Sequence, residues 1–336
     1  MSEDWIRRLT DLGRAVRDAI RAQRGGEDLA APVAFEGGDT IYGIDRRVEP
    51  LIIAHAERWA EQCGPGVVVA EGLGAGGVRP FGRGEARWRA LIDPIDGTRN
   101  IMYDKRSAWF LGAVAPDRGE QTRLHDAVAS VMVELPTSKA GWADEFGATR
   151  EGPVSCARVP LEGGVARDLP VRPSAAPDLR HGWGQVTNFF PGTKALAADL
   201  MERIARETLG EVRAGEALVF DDQYLTTGGQ LVELICGRDR FCCDLRPLMF
   251  EIVRARGGAA ATGLTCHPYD MAGLLVAQRA GVVVTDGFGS ELDAPFAVDH
   301  GVHWCGYANG SLREAIEPII RGWLREHGVG TGDGPA

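Results

Sequence analysis

The chain has 336 residues, 44% of them hydrophobic and 25% charged, which is enough to bury a sizeable core and excludes a largely disordered protein. Its 37 basic and 47 acidic residues leave a net charge of −10, so nucleic acid and anionic membrane surfaces are not expected partners. An anionic small molecule could still bind where something local supplies positive charge, and that constraint points toward metal cations.

The length allows two domains or one large layered domain. No apolar run approaches the roughly 18 residues of a membrane span. The start, Met-Ser-Glu-Asp-Trp, lacks the basic-then-apolar pattern of a secretory signal. The 7 cysteines include no Cys-x-x-Cys pair, which reads as reduced thiols and a cytoplasmic protein.

Along the chain, Trp5, Ile6, Leu9, Leu12, Val16 and Ile20 recur at helical spacing. A second helix follows Asp45, with Val48, Leu51, Ile52, His55 and Trp59 on one face. Val67 to Ala70 reads as a buried strand ending at Glu71, and Trp88 to Ile92 as another ending at Asp93. Phe110 to Ala115 and Ala127 to Val133 continue the strand-rich part. The stretch 151–186 is rich in Pro, Gly and Arg, and a junction is placed near 160. Thr193 to Leu209 then reads as a helix and Val282 to Val284 as a strand. Ser311 to Glu314 has the form of a capping box opening a last helix. The expected organisation is an N-terminal half over 1–160, a C-terminal half over 161–329 and a frayed tail over 330–336. Alternation of strands and helices in both halves indicates an α/β or layered α+β class.

The densest chemical signal is Asp93-Pro94-Ile95-Asp96-Gly97-Thr98. Two carboxylates stand three residues apart at a strand end, with Pro94 fixing one dihedral and Gly97 permitting a tight turn. Oxygen-only ligands suit a hard cation such as Mg²⁺. The Gly97 and Thr98 amides, at a helix start, could hold a phosphate. The same residues also fit an Asp-rich turn with a helix N-cap. Glu71 at a strand end, Asp45 at a helix start and Asp270 in Tyr269-Asp-Met-Ala-Gly273 each allow a plain reading as an exposed acid or an N-cap. Together with the Asp93 to Thr98 segment they are harder to dismiss.

That set resembles the inositol monophosphatase family, within the group that includes fructose-1,6-bisphosphatases and nucleotide 3′-phosphatases. Asp93 to Thr98, with Asn100, is similar to the family's most specific motif, and Tyr269 to Gly273 with Gly281 to Asp286 to its second. The resemblance covers about 40–135 and 265–325. It implies a layered α/β/α/β/α sandwich of the α+β class and a Mg²⁺-dependent phosphatase acting on a small phosphorylated metabolite. An inositol, other cyclitol or sugar monophosphate heads the expectation. Fructose-1,6-bisphosphate, histidinol phosphate or a nucleotide 3′-phosphate are alternatives, and an inactive binding homologue comes last. Glu71, Asp93, the Ile95 carbonyl, Asp96 and Asp270 would hold about two or three Mg²⁺ ions. Asp45, Glu71 and Thr98 would orient or activate water. Gly97, Thr98 and Asp270 would contact phosphate or substrate. A homodimer and inhibition by lithium are implied as well.

The chain departs from the family pattern in three places. The usual paired glutamates read Glu71-Gly72, followed by a Gly-rich loop to Gly77 expected to be a mobile flap. The motif's Trp is Tyr269. The acid that grips inositol hydroxyls shortly before the motif aspartate is missing, Gly263 standing there. A long insertion instead separates Asp270 from the matching strand, which ends in Cys242-Cys-Asp244. Of the remaining polar groups, Asp221-Asp222 could reach substrate or cap a turn, and Arg238 and Arg240 could bind a second phosphate or be surface charge. His267, His300 and His303 could approach the site or be structural. Cys242-Cys243 and Cys266-His267 read as core or loop thiols without zinc spacing.

Overall fold

The computed structural model describes residues 2–23, 32–36, 39–42, 45–258 and 264–330. In chain order, the first part holds helix α1 (Ser2–Gln23), a hairpin of β1 (Pro32–Glu36) and β2 (Asp39–Tyr42), and helix α2 (Asp45–Cys63). Strands β3 (Gly66–Ala70), β4 (Val78–Phe81) and β5 (Trp88–Asp96) follow, then a short helix α3 (Thr98–Met102). Five more strands come next: β6 (Ala108–Pro116), β7 (Ala129–Leu135), β8 (Trp142–Thr149), β9 (Ser155–Pro160) and β10 (Arg167–Asp168). Strands β3 to β10 form one 8-stranded sheet in the order β10-β9-β8-β7-β6-β5-β3-β4. Only β3 and β5 are paired parallel in it.

The second part holds β11 (Gly182–Val186), α4 (Lys194–Leu209), β12 (Val219–Phe220), α5 (Thr227–Ile235), β13 (Asp239–Asp244) and α6 (Arg246–Ala255). It ends with α7 (Leu274–Ala280), β14 (Val283–Thr285), β15 (Trp304–Tyr307) and α8 (Gly310–Glu326). Its sheet has 5 strands in the order β12-β11-β13-β15-β14, with β11 parallel to both β12 and β13.

Period-two alternation in the strands builds the layers. In β3 and β5, Val68, Ala70, Ala90 and Ile92 face α1 and α2, packing with Leu9, Leu12, Val16 and Ile52. Val67, Val69 and Leu91 face the other way, onto α5 and α7 through Leu231, Leu234, Val276 and Ala277. Covered on both faces, these strands read as unbroken apolar runs. The second sheet turns Trp304 and Cys242 toward the same α5–α7 layer. Phe241, Cys243 and Tyr307 face outward onto α4, α6 and α8. The result is the α/β/α/β/α sandwich. Trp5, Trp59 and Trp88 interlock edge to face or tilted at 5.2–6.0 Å. Arg14 and Arg17 of α1 clamp the buried Glu145 of β8 at 2.7 and 2.9 Å.

Several elements differ from the sequence expectation. Strand β5 runs through the motif to Asp96 instead of ending at Asp93, because a bulge between Asp93 and Asp96 absorbs Pro94. Strand β9 lies in the Pro-, Gly- and Arg-rich stretch, and β8, not expected from the sequence, buries Asp144 and Glu145 in its middle. The first sheet reaches Asp168 and the second starts at Gly182, so the division into halves is proposed for the stretch between them. The last helix is capped by Asn309, whose side chain accepts from Leu312 N–H at 3.1 Å, so Ser311 sits in the first turn and is not the cap. The expected frayed tail lies, beyond Gly330, outside the described residues.

Candidate active site

The bulge in β5 decides where the motif points. Ile95 N–H donates to Asp93 Oδ1 at 2.9 Å, closing a local turn that carries both carboxylates to the same side. Gly97 then adopts φ 89°, and α3 begins at Thr98. A side chain at 97 would bring its Cβ 2.9 Å from Thr226 and 3.0 Å from the Leu225 carbonyl, so the glycine is required both for its dihedral and for the approach of that segment. Asn100 Nδ2 donates to the Leu225 carbonyl at 2.9 Å and ties the two together.

Asp270 arrives from far along the chain. Pro268 starts a 3₁₀ turn over Tyr269–Met271, and Asp270 Oδ2 accepts from His267 N–H at 2.6 Å. The buried Ser130 of β7 donates to the Ala272 carbonyl at 2.5 Å and anchors the turn on the first sheet. Carboxylate oxygens of Asp93, Asp96 and Asp270 thereby lie within 4.8 Å of one another. Asp93 and Asp96 are buried, and Asp270 is nearly so.

Concentrating three acids in low dielectric disfavours their charged forms. Asp93 is raised well above the usual carboxylate range, first by burial and then by the charges of Glu71, Asp96 and Asp270. Asp270 is pushed up to about 8 by burial and by Asp96. Asp96 is pushed up only to about 6, because burial is opposed by three hydrogen bonds. Those donors are the Thr226 hydroxyl at 2.6 Å, Gly228 N–H at 2.5 Å and Thr227 N–H at 3.3 Å, all at the N-terminus of α5. Thr226 also caps α5 by accepting from Gly229 N–H at 3.0 Å, so its proton is directed to Asp96. A side chain at 228 would place its Cβ 3.0 Å from Asp96 Oδ2.

The acids form one end of a cavity of ≈ 420 Å³. Glu71 lines it too, outside the tight group of three, and Tyr269 Oη donates to its Oε1 at 3.4 Å. Gly72 to Gly77 borders the opening. Thr98 Oγ1 donates to the Ile95 carbonyl at 2.9 Å. The donor set of carboxylates and a backbone carbonyl fits a hard divalent cation, whose charge would offset the burial and mutual repulsion that raise the acids.

Solved structures share this architecture. The fructose-1,6-bisphosphatase of Leishmania major superposes with a TM-score of 0.65 at 13% identity, over 95% of this chain and 92% of that one. The extragenic suppressor protein SuhB of Bartonella henselae gives 0.59 at 18% identity over 94% and 96%. The inositol monophosphatase of Zymomonas mobilis gives 0.57 at 16% identity over 97% and 99%. The chain has the inositol monophosphatase fold. No family model and no curated protein matches its sequence.

Within the inositol monophosphatase fold, the residues singled out from sequence separate into two groups. Glu71, Asp93, Ile95, Asp96, Gly97, Thr98 and Asp270 line one cavity. The side chain of Asp45 lies outside the described residues, although α2 begins at that position. Asp221 and Asp222 engage Gln223 and Arg106 instead of the cavity. Arg238 pairs with Glu233, and Arg240 holds the Asp178 and Arg180 carbonyls. His267 lines the cavity, stacked on Tyr269 at 5.1 Å, whereas His303 accepts from Gly287 N–H within the fold. Sequence reasoning missed Thr226, Thr227 and Gly228, whose Thr-Thr-Gly-Gly signal announces a helix start without saying what it faces. It also missed Phe189, Phe190 and Arg246, which line the cavity as well.

Proposed function

We propose that the chain is a Mg²⁺-dependent phosphatase that hydrolyses a small phosphate monoester. The observation that carries this reading is the meeting of Asp270 with Asp93 and Asp96 at the end of a cavity. The fold supports it, since solved relatives in architecture include a fructose-1,6-bisphosphatase and an inositol monophosphatase.

Asp93, Asp96, Asp270, Glu71 and the Ile95 carbonyl would hold the cations. Bound there, Mg²⁺ would neutralise the phosphate dianion and lower the pKa of an adjacent water. The chain's own groups do the positioning. The Thr98 hydroxyl donates a hydrogen bond to the Ile95 carbonyl, which leaves its lone pairs to accept from a water and turn that water's oxygen toward phosphorus. Asp45 would support that water. Glu71, at the cavity edge, can take its proton. The Gly97 and Thr98 amides would orient the phosphate, and Asp270 would approach the substrate. Oxygen from water bonds to phosphorus, the ester P–O bond breaks, and the departing oxygen takes up a proton. Alcohol and inorganic phosphate result, with no covalent enzyme intermediate required.

Homodimer assembly, a cytoplasmic location and lithium inhibition belong to the same proposal. The test is phosphate release over a panel of cyclitol, sugar, nucleotide and simple alkyl phosphates, with Mg²⁺ or with EDTA. Asp93→Asn is expected to lower Mg²⁺-dependent release about 10²-fold or more with an unchanged circular dichroism spectrum. Near-normal turnover by that variant on the best substrate would refute the assignment.

A further inference from the structure

One wall of the cavity is built where two parallel strands end. Val186 of β11 pairs with Cys243 of β13, and Thr187 N–H donates to the Cys243 carbonyl at 2.8 Å. Beyond that bond the chains part, and the open carboxyl ends of parallel strands are where ligand crevices form. The β11 side supplies Phe189 and Phe190, and the β13 side supplies Arg246.

The Arg246 guanidinium carbon lies 5.0 Å from the Phe189 ring centre and 5.6 Å from that of Phe190. Arg246 is fixed in place. It bonds Asp244 through Nε and Nη2 at 2.5–3.1 Å and the Leu264 carbonyl through Nη1 at 2.8 Å. Its charge is answered by Asp244 and its side chain is 5% exposed, so it backs and stiffens the two rings more than it offers a free cation. Both rings are half-buried, and Leu225, Leu264 and Val298 add apolar surface.

A polyol leaving group is gripped most strongly by carboxylates that accept from its hydroxyls. Among the described residues, the carboxylates lining the cavity are Glu71, Asp93, Asp96 and Asp270, all at the cation end. Asp244 is 1% exposed, with both oxygens taken by Arg246. Two half-buried aromatic rings, held by the guanidinium behind them, suit instead a flat π-system. We propose that the leaving group of the substrate carries a planar aromatic or heteroaromatic ring, seated against the wall of Phe189, Phe190 and Arg246. The proposal rests on the phosphatase reading for its phosphate anchor.

Two non-hydrolysable phosphonates separate ring character from mere apolarity: 2-phenylethylphosphonate and its saturated counterpart, 2-cyclohexylethylphosphonate. Each is titrated calorimetrically into the full chain with Mg²⁺, beside inorganic phosphate and myo-inositol 1-phosphate. The aromatic ligand should bind about tenfold more tightly than the saturated one, and the inositol ester no better than inorganic phosphate. Phe190→Leu, and independently Phe189→Leu, should each shrink the aromatic-to-saturated ratio several-fold. Equal affinities, a ratio unchanged in both variants, tighter binding of the inositol ester, or no binding of any ligand would each overturn the proposal. A ring preference that holds in a protein releasing no phosphate from any ester would sink the phosphatase reading alone.

Discussion

Asp270→Asn should stabilise the metal-free protein. The substitution keeps an oxygen to accept from His267 N–H, which Asp270 now binds at 2.6 Å, and turns an N–H toward Asp93. The wild-type carboxyl is pushed up from 3.8 to about 8. The sign follows from linkage: the folded chain retains a proton that the unfolded chain has lost, so stability falls as pH rises between those values. At about 1.4 kcal/mol per pH unit, the full penalty above pH 8 is on the order of 6 kcal/mol. Relaxation around the site will reduce it. In EDTA near pH 8.5 the variant should therefore melt about 5 °C above wild type, and near pH 4 the two should coincide. Added Mg²⁺ should raise the wild-type midpoint and scarcely move the variant's. Thermal melts followed by circular dichroism across pH read all three. A variant that melts lower than wild type at alkaline pH in EDTA, or a difference that ignores pH, would refute the reasoning.

Protons and cations compete for the same oxygens. Half-saturating Mg²⁺ for phosphate release should thus fall about three- to tenfold per pH unit between pH 6 and 8, where Asp96 (about 6) and Asp270 (about 8) ionise. A flat dependence would mean that other groups bind the metal. Thr226→Val removes the hydroxyl that joins Asp96 at 2.6 Å and the cap that Gly229 N–H uses at 3.0 Å. It should cost about 2 kcal/mol or more in urea denaturation and weaken Mg²⁺ dependence. Gly228→Ala forces a Cβ to 2.7 Å from Leu111 and 3.0 Å from Asp96 Oδ2. A loss of about 1–3 kcal/mol with reduced activity is expected, and wild-type behaviour in both assays would show that the helix end does not need that close approach.

The layered fold was legible because its central strands are unbroken apolar runs, the mark of a strand covered on both faces. Val67 to Ala70 divides its side chains between two cores. Strands β8 and β9 were not, since Glu145 and Asp144 are buried there against Arg14, Arg17 and Arg158, and buried ion pairs look like surface in a sequence. The acids of the candidate site were legible only as a set, through their resemblance to the inositol monophosphatase motifs, since each alone also reads as a strand-end acid or an N-cap. Their supports were not. Nothing local in Tyr224-Leu-Thr-Thr-Gly-Gly says that its amides face Asp96, a contact made across more than a hundred residues. The aromatic wall was hidden for the same reason. Phe189 and Arg246 are brought together by parallel pairing of β11 with β13, a relation that no periodicity reports.

The grip of α5 on Asp96 has a consequence for ion choice. A carboxylate whose two oxygens already meet a hydroxyl and two amides is a donor of fixed position. Small divalent ions insist on near-octahedral coordination at about 2.1 Å, while larger ones accept irregular shells at about 2.4 Å. In the proposed metal site, an ion of larger radius would have to push Asp96 off three partners to be accommodated, so the end of one helix would act as a gauge for the size of the guest.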